Sequence, residues 1–123
     1  NVLYPSPENV YQNLSYTYYL KHECEQALTA ARNGLRIRPE HSFLLNSLGL
    51  ALRCLKKNTE AEDAFRQSLK LKADYVEAHS NLGDLLAETG RKETAKAEYQ
   101  EVIRLAPYSD FARQARSKLE LLK

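Results

Sequence analysis

The chain has 123 residues, 43% hydrophobic and 28% charged, with a formal net charge of +2, a balance that fits one soluble domain and is too mixed in sign for a disordered tail. No window approaches the roughly 20 apolar residues of a membrane span, nothing at the start reads as a signal segment, and no segment gathers the basic residues of a nucleic-acid footprint. The absence of methionine, even at Asn1, is expected of a fragment or a processed product.

Residues 1–7 read as a lead-in, with Leu3 and Tyr4 available to cover the edge of the first helices. Ser6-Pro7-Glu8 opens a helix over about Pro7 to Leu20. Ser6 is expected to accept from a free first-turn amide, Pro7 has no amide to lose there, and Glu8 suits the positive end of the dipole. Tyr11, Leu14 and Tyr18 share one face at helical spacing. A second helix, about Glu23 to Arg38, turns Ala27, Ala31, Leu35 and Ile37 inward. Its interior Gly34 costs about 1 kcal/mol relative to Ala, so it implies a close approach by a neighbouring helix, as does Ser68, which matches it downstream. Pro39 ends this helix.

The next pair covers Ser42 to Leu55 and about Thr59 to Lys72, turning at Lys56, Lys57 and Asn58. A third covers about Tyr75 to Glu88 and Lys92 to Leu105, with Gly90 as its left-handed exit residue. Ser109-Asp110 starts a last helix that places Phe111, Ala112, Ala115, Leu119 and Leu122 on one side.

These pairs share one constant register. His79, Leu82-Gly83, Leu86, Ala95, Tyr99 and Pro107 step back to Leu45, Leu48-Gly49, Leu52, Ala61, Phe65 and Ala73. They step back by the same interval to Tyr11, Leu14-Ser15, Tyr18, Ala27, Ala31 and Pro39. This pattern resembles the tetratricopeptide repeat family, whose unit is about 34 residues long, over Glu8 to Pro107. Ser15, Ala31 and Ala73 depart from it by replacing a glycine, an aromatic and a proline.

The resemblance implies an all-α, right-handed superhelical stack of three repeats, 8–41, 42–75 and 76–109, closed by a capping helix over 110–123. It also implies that the first helix of each pair lines a concave wall. Residues turned about 100° from the packing stripe then form the expected peptide groove: Asn9, Gln12, Tyr16 and Tyr19, then Phe43, Asn46, Leu50 and Arg53, then Glu77, Ser80, Asp84 and Glu88. Aromatic anchors at one end and acids at the other suit a partner segment with an apolar anchor and basic residues. A wedge role for Phe43 and Leu50, and a plain solvated face for the acids, are the competing readings.

The chaperone-binding branch of the family grips C-terminal carboxylates with cations and amides. The matching positions here are Gln12, Tyr16, Ser47, Ser80 and Asp84, without a cation among them, so no clamp of that type is expected. The expected function is a non-catalytic scaffold for a protein or peptide partner, with no cofactor, metal, nucleic acid or membrane insertion, and a monomer rather than a self-associating chain. The rival is a structural spacer or self-assembly module that uses its ends or convex face. The three histidines and two cysteines form no catalytic or metal constellation. Cys24 and Cys54 are too few for a disulfide framework, which inclines the reading toward a reducing, cytoplasmic setting.

Overall fold

The repeat rhythm is written in the backbone. The computed structural model describes residues 5–123, which leaves the expected lead-in contacts of Leu3 and Tyr4 outside the described residues. It contains α1 (Pro7–Leu20), α2 (Cys24–Ile37), α3 (Ser42–Cys54), α4 (Asn58–Leu71), α5 (Val76–Glu88), α6 (Lys92–Leu105) and α7 (Asp110–Leu121), with no strand among the described residues. These are helix-turn-helix repeats followed by a final helix, and they fall into two compact units, Asn1–Leu71 and Lys72–Lys123.

Each tight turn inside a pair uses one left-handed residue: His22 at φ 61°, Lys56 at φ 64° and Gly90 at φ 82°. The three occupy the same position in successive repeats. The amide after each donates back to the preceding helix, Glu23 to Tyr18, Lys57 to Leu52 and Arg91 to Leu86, at 2.9, 2.9 and 2.8 Å. That bond answers a carbonyl which the helix end would otherwise leave unpaired. Helix starts are more varied. Ser6 makes no side-chain cap, contrary to expectation; its carbonyl instead accepts from Asn9 and Val10. The unforeseen cap is His41, whose Nδ1 accepts the Leu44 amide at 3.1 Å. Ser109 does cap α7, accepting from Ala112 at 3.1 Å.

In the first unit, α1 packs on α2, α3 on both, and α4 on α3. Gly49 is where the α3–α4 pair closes. A Cβ there would stand 2.5 Å from Cε1 of Phe65, which is fully buried, so the ring lies directly on the glycine backbone. Burying such a ring contributes about 1.5–3 kcal/mol. In the α1–α2 pair Ser15 and Ala31 occupy the corresponding positions, and the two departures compensate each other. The smaller Ala31 leaves room for a hydroxyl, and Ser15 Oγ donates to the Ala27 carbonyl at 2.8 Å. Gly34 admits Leu44 of α3, whose Cδ2 would lie 2.7 Å from an added Cβ. Ser68, in the same column, donates from Oγ to the Ser42 carbonyl at 2.8 Å. Ile37, expected inside, is 51% exposed, because it is the last residue of α2 and the chain leaves the packed face there.

The two cysteines are the main correction. Cys24 and Cys54 form a disulfide with a Cα–Cα separation of 5.9 Å. It joins the first residue of α2 to the last of α3, and closing a loop of this length is worth about 3–4 kcal/mol in the chain-entropy account. The chemical ground for preferring a reducing compartment is therefore removed.

In the second unit Tyr99 of α6 lies over Gly83 of α5 as Phe65 lies over Gly49, with Cε1 2.8 Å from the site of an added Cβ. The α7 helix packs on α6 and α5, burying Ala112 and Ala115 while Phe111 stays 38% exposed. Phe111 stands in the first turn of α7, where the helix is only entering the packed face. Ala27, Ala61 and Ala95 are all fully buried, so the small columns close the helix pairs. Among the described residues no helix is long and apolar enough to cross a membrane.

Candidate functional site

On α1 the expected binding positions form a continuous outer strip. Asn9 and Tyr16 are exposed, Gln12 and Tyr19 half-buried, and the Tyr16 and Tyr19 rings sit 6.2 Å apart at a 30° tilt. A three-residue step along a helix leaves two side chains only about 60° apart in rotation, which brings both tyrosines onto one shelf. On the adjacent α3, Phe43 is 39% exposed and its ring stands edge-to-face with the His41 ring, the centroids 5.8 Å apart. Arg53 is half-buried at the far end. Asn46 and Leu50, between them, are 3% and 4% exposed. A helix packed against both α1–α2 and α4 buries a wider stripe than a helix with one neighbour, so these two side chains are spent on packing.

The α5 positions differ again. Ser80 is buried, Glu77 accepts from Tyr75 Oη at 3.3 Å, and Glu88 is exposed. Asp84 is held inside its own unit: Oδ1 accepts from Tyr99 Oη at 2.6 Å and from Lys118 Nζ at 2.7 Å. Lys118 also stands 5.6 Å above the Tyr99 ring. The acid expected to meet a partner's cation is thus balanced by a lysine of α7. Lys118 occupies the column of Asp84 one repeat later, so the register itself carried that signal.

Two histidines are tuned in opposite directions. His41 is held below the usual imidazole value by burial and by the Arg38 charge. Its cap bond also requires a neutral, accepting Nδ1. His79 bridges Glu98 Oε2 at 2.6 Å through Nδ1 and the Ala73 carbonyl at 2.8 Å through Nε2. Burial opposes its charge, yet the bonds to Glu98 and Ala73 outweigh it and raise the value. Among the described residues no group of three or more His, Cys, Asp or Glu side chains is placed to hold a metal ion.

An open cleft of about 330 Å³ lies elsewhere, between α1 and α2. Tyr11, Leu14, Tyr18 and Ala30 make its floor, and Glu25, Gln26, Thr29 and Asn33 its polar edge. The sequence pattern assigns Tyr11, Leu14 and Tyr18 to packing, but Leu14 is 40% exposed. A periodic apolar stripe states what a helix can bury without stating whether a neighbour is there to bury it.

Comparison with known proteins agrees with this architecture. A family model described as tetratricopeptide repeat matches residues 47–110. The human protein named Protein O-mannosyl-transferase TMTC2 is 35% identical over 98 residues, 77% of this chain and 12% of its own length. The peroxisomal targeting signal receptor of Candida albicans is 33% identical over 75 residues, 61% of this chain and 13% of its own length. The chain thus spans only about an eighth of these relatives. Among solved structures, the first tetratricopeptide domain of Spaghetti (RPAP3) bound to an HSP90 peptide superposes with a TM-score of 0.85 at 22% identity, over 94% of this chain and 90% of that one.

Proposed function

Because the chain belongs to the tetratricopeptide repeat family, a fold that generally mediates protein–protein interaction, we propose that the α1–α3 face holds a peptide segment of a partner protein without catalysis. One observation carries this reading: Tyr16, Tyr19 and Phe43 are large, amphipathic or apolar side chains left at least partly open on neighbouring helices. Aromatic anchors of this kind dominate binding energy at protein interfaces. Asn9, Gln12 and Arg53 supply polar edges, and the sealed Asn46 and Leu50 do not take part.

The grip is not of the carboxylate-clamp type. Gln12, Tyr16, Ser47, Ser80 and Asp84 offer no cation at the matching positions, and Lys118 is already bound to Asp84. The RPAP3 neighbour's HSP90 peptide should therefore show no micromolar binding in calorimetry. A peptide selected on this protein from a displayed library should lose about 2 kcal/mol or more of affinity on Tyr16→Ala or Phe43→Ala, with the helical circular dichroism unchanged. Unaltered affinity alongside intact helicity would count against the α1–α3 face.

The α1–α2 cleft favours a second reading, in which the outer side of the α1–α2 pair makes the contact. There Leu14→Arg would abolish binding and Tyr16→Ala would spare it.

A further inference from the structure

The Cys24–Cys54 bond is not demanded by the repeat. The same columns in the next repeat hold Asn58 and Glu88, so this pair of thiols belongs to one joint of the fold alone. That joint has a particular mechanics. The α2 and α3 helices run antiparallel on either side of Pro39 and are packed together at their Pro39 ends by Leu44 against Gly34. At the opposite ends the covalent chain offers nothing to hold them, and it is there that Cys24 and Cys54 meet. The two cysteines are equally distant from Pro39 along the chain, and both are half-buried. Neither cysteine is sealed in the core, which suits attack by a small thiol reductant.

We propose that this disulfide is a redox latch on the α2–α3 joint, which fixes the angle at which α3 docks on the α1–α2 pair when closed and lets the joint fray when open. Opening takes two electrons and two protons from a thiol reductant, two glutathione-type thiols or one dithiol. A thiolate attacks one sulfur to form a mixed disulfide, a second thiolate resolves it, and the products are Cys24–SH, Cys54–SH and the oxidised reductant. Closing is the reverse exchange with a small disulfide. The latch is independent of what the α1–α3 face binds, because its consequence is the stability and exchange behaviour of the joint itself.

The test uses the whole chain after equilibration with oxidised glutathione, and again after reduction with an excess of dithiothreitol. The oxidised protein should show no thiol by Ellman titration and the reduced one two. Reduction should lower the melting temperature by roughly 10 °C. It should also raise amide exchange in the first turns of α2 and the last turns of α3, with α6 as an unchanged reference. Cys24→Ser, Cys54→Ser and the double variant should melt where the reduced protein does and ignore dithiothreitol. Two titratable thiols after oxidation would overturn the proposal, as would a melting temperature and α2–α3 exchange that do not respond to reduction. If the serine variants fail to fold, the oxidised and reduced forms of the unaltered chain still decide it.

Discussion

At the scale of single residues, His79 and His41 make contributions to stability that change in opposite senses on the two sides of about pH 6.5. His79 offers both ring nitrogens to acceptors, the Glu98 carboxylate and the Ala73 carbonyl, which only the doubly protonated ring can satisfy as a donor. Its folded value is raised, so its contribution is complete below the unfolded value near 6.5 and is lost as the pH rises through the folded value. His41 is lowered, so its contribution is complete above about 6.5 and declines as the pH falls toward the folded value. In the unaltered protein the two slopes fall on opposite sides of about pH 6.5, so the pair together contributes most near that pH and less in either direction. Replacing His79 by Gln should remove one slope. Urea melts should show a loss of about 1 kcal/mol at pH 5.5, on the scale of one partly screened charged hydrogen bond, and little loss at pH 8.5. An equal loss at both pH values would mean that the ring acts through packing and not through its charge.

At the scale of the element, the intra-pair turn is the unit that repeats most strictly, and it is only partly legible in sequence. Gly90 announces a left-handed residue, whereas His22 and Lys56 adopt the same geometry without a glycine. The returning amide bond and the close packing of each pair impose that conformation on side chains that ordinarily avoid it, at a cost of about 1–2 kcal/mol. Lys56→Gly should relieve part of this. Glycine also loses more freedom on folding, so a net gain of only about 0.5–1 kcal/mol in chemical denaturation is expected. Lys57→Gly, one residue later and outside the left-handed position, should destabilise or do nothing. Other element-scale features were readable because they rest on exclusion of volume. Gly49 and Gly83 stand where rings must pass, and Ala27, Ala61 and Ala95 are fully buried at their helix contacts. What escaped the sequence was compensation between positions: Ser15 with Ala31 makes sense only when the hydrogen bond to Ala27 is seen.

At the scale of the whole chain, period and fold class could be read from the spacing of small and aromatic residues, while the state of the candidate binding positions could not. Helical rotation predicts which residues share a side but not how many neighbours a helix will have. This is why Tyr16 and Phe43 stay open and Leu50, in the same column as Tyr16, is buried. The disulfide escaped because cysteine counting looks for frameworks, and only the antiparallel course of α2 and α3 brings two such distant positions together. The α7 helix shows the same dependence on neighbours. Ala112 and Ala115 are almost fully buried where α7 meets the preceding pair, and Lys118 ties the helix to Asp84. On the reading that α7 caps these repeats, its one dry and one wet face keep their last apolar face from water. A charge forced into that seam should undock α7: Ala115→Glu should cost about 2–4 kcal/mol and give concentration-dependent light scattering as the uncovered face self-associates. Gln114→Glu places the same charge on the exposed side of the same helix and should leave both melting and mass unchanged. If the two variants behave alike, α7 contributes charge or length to the array and does not act as its seal.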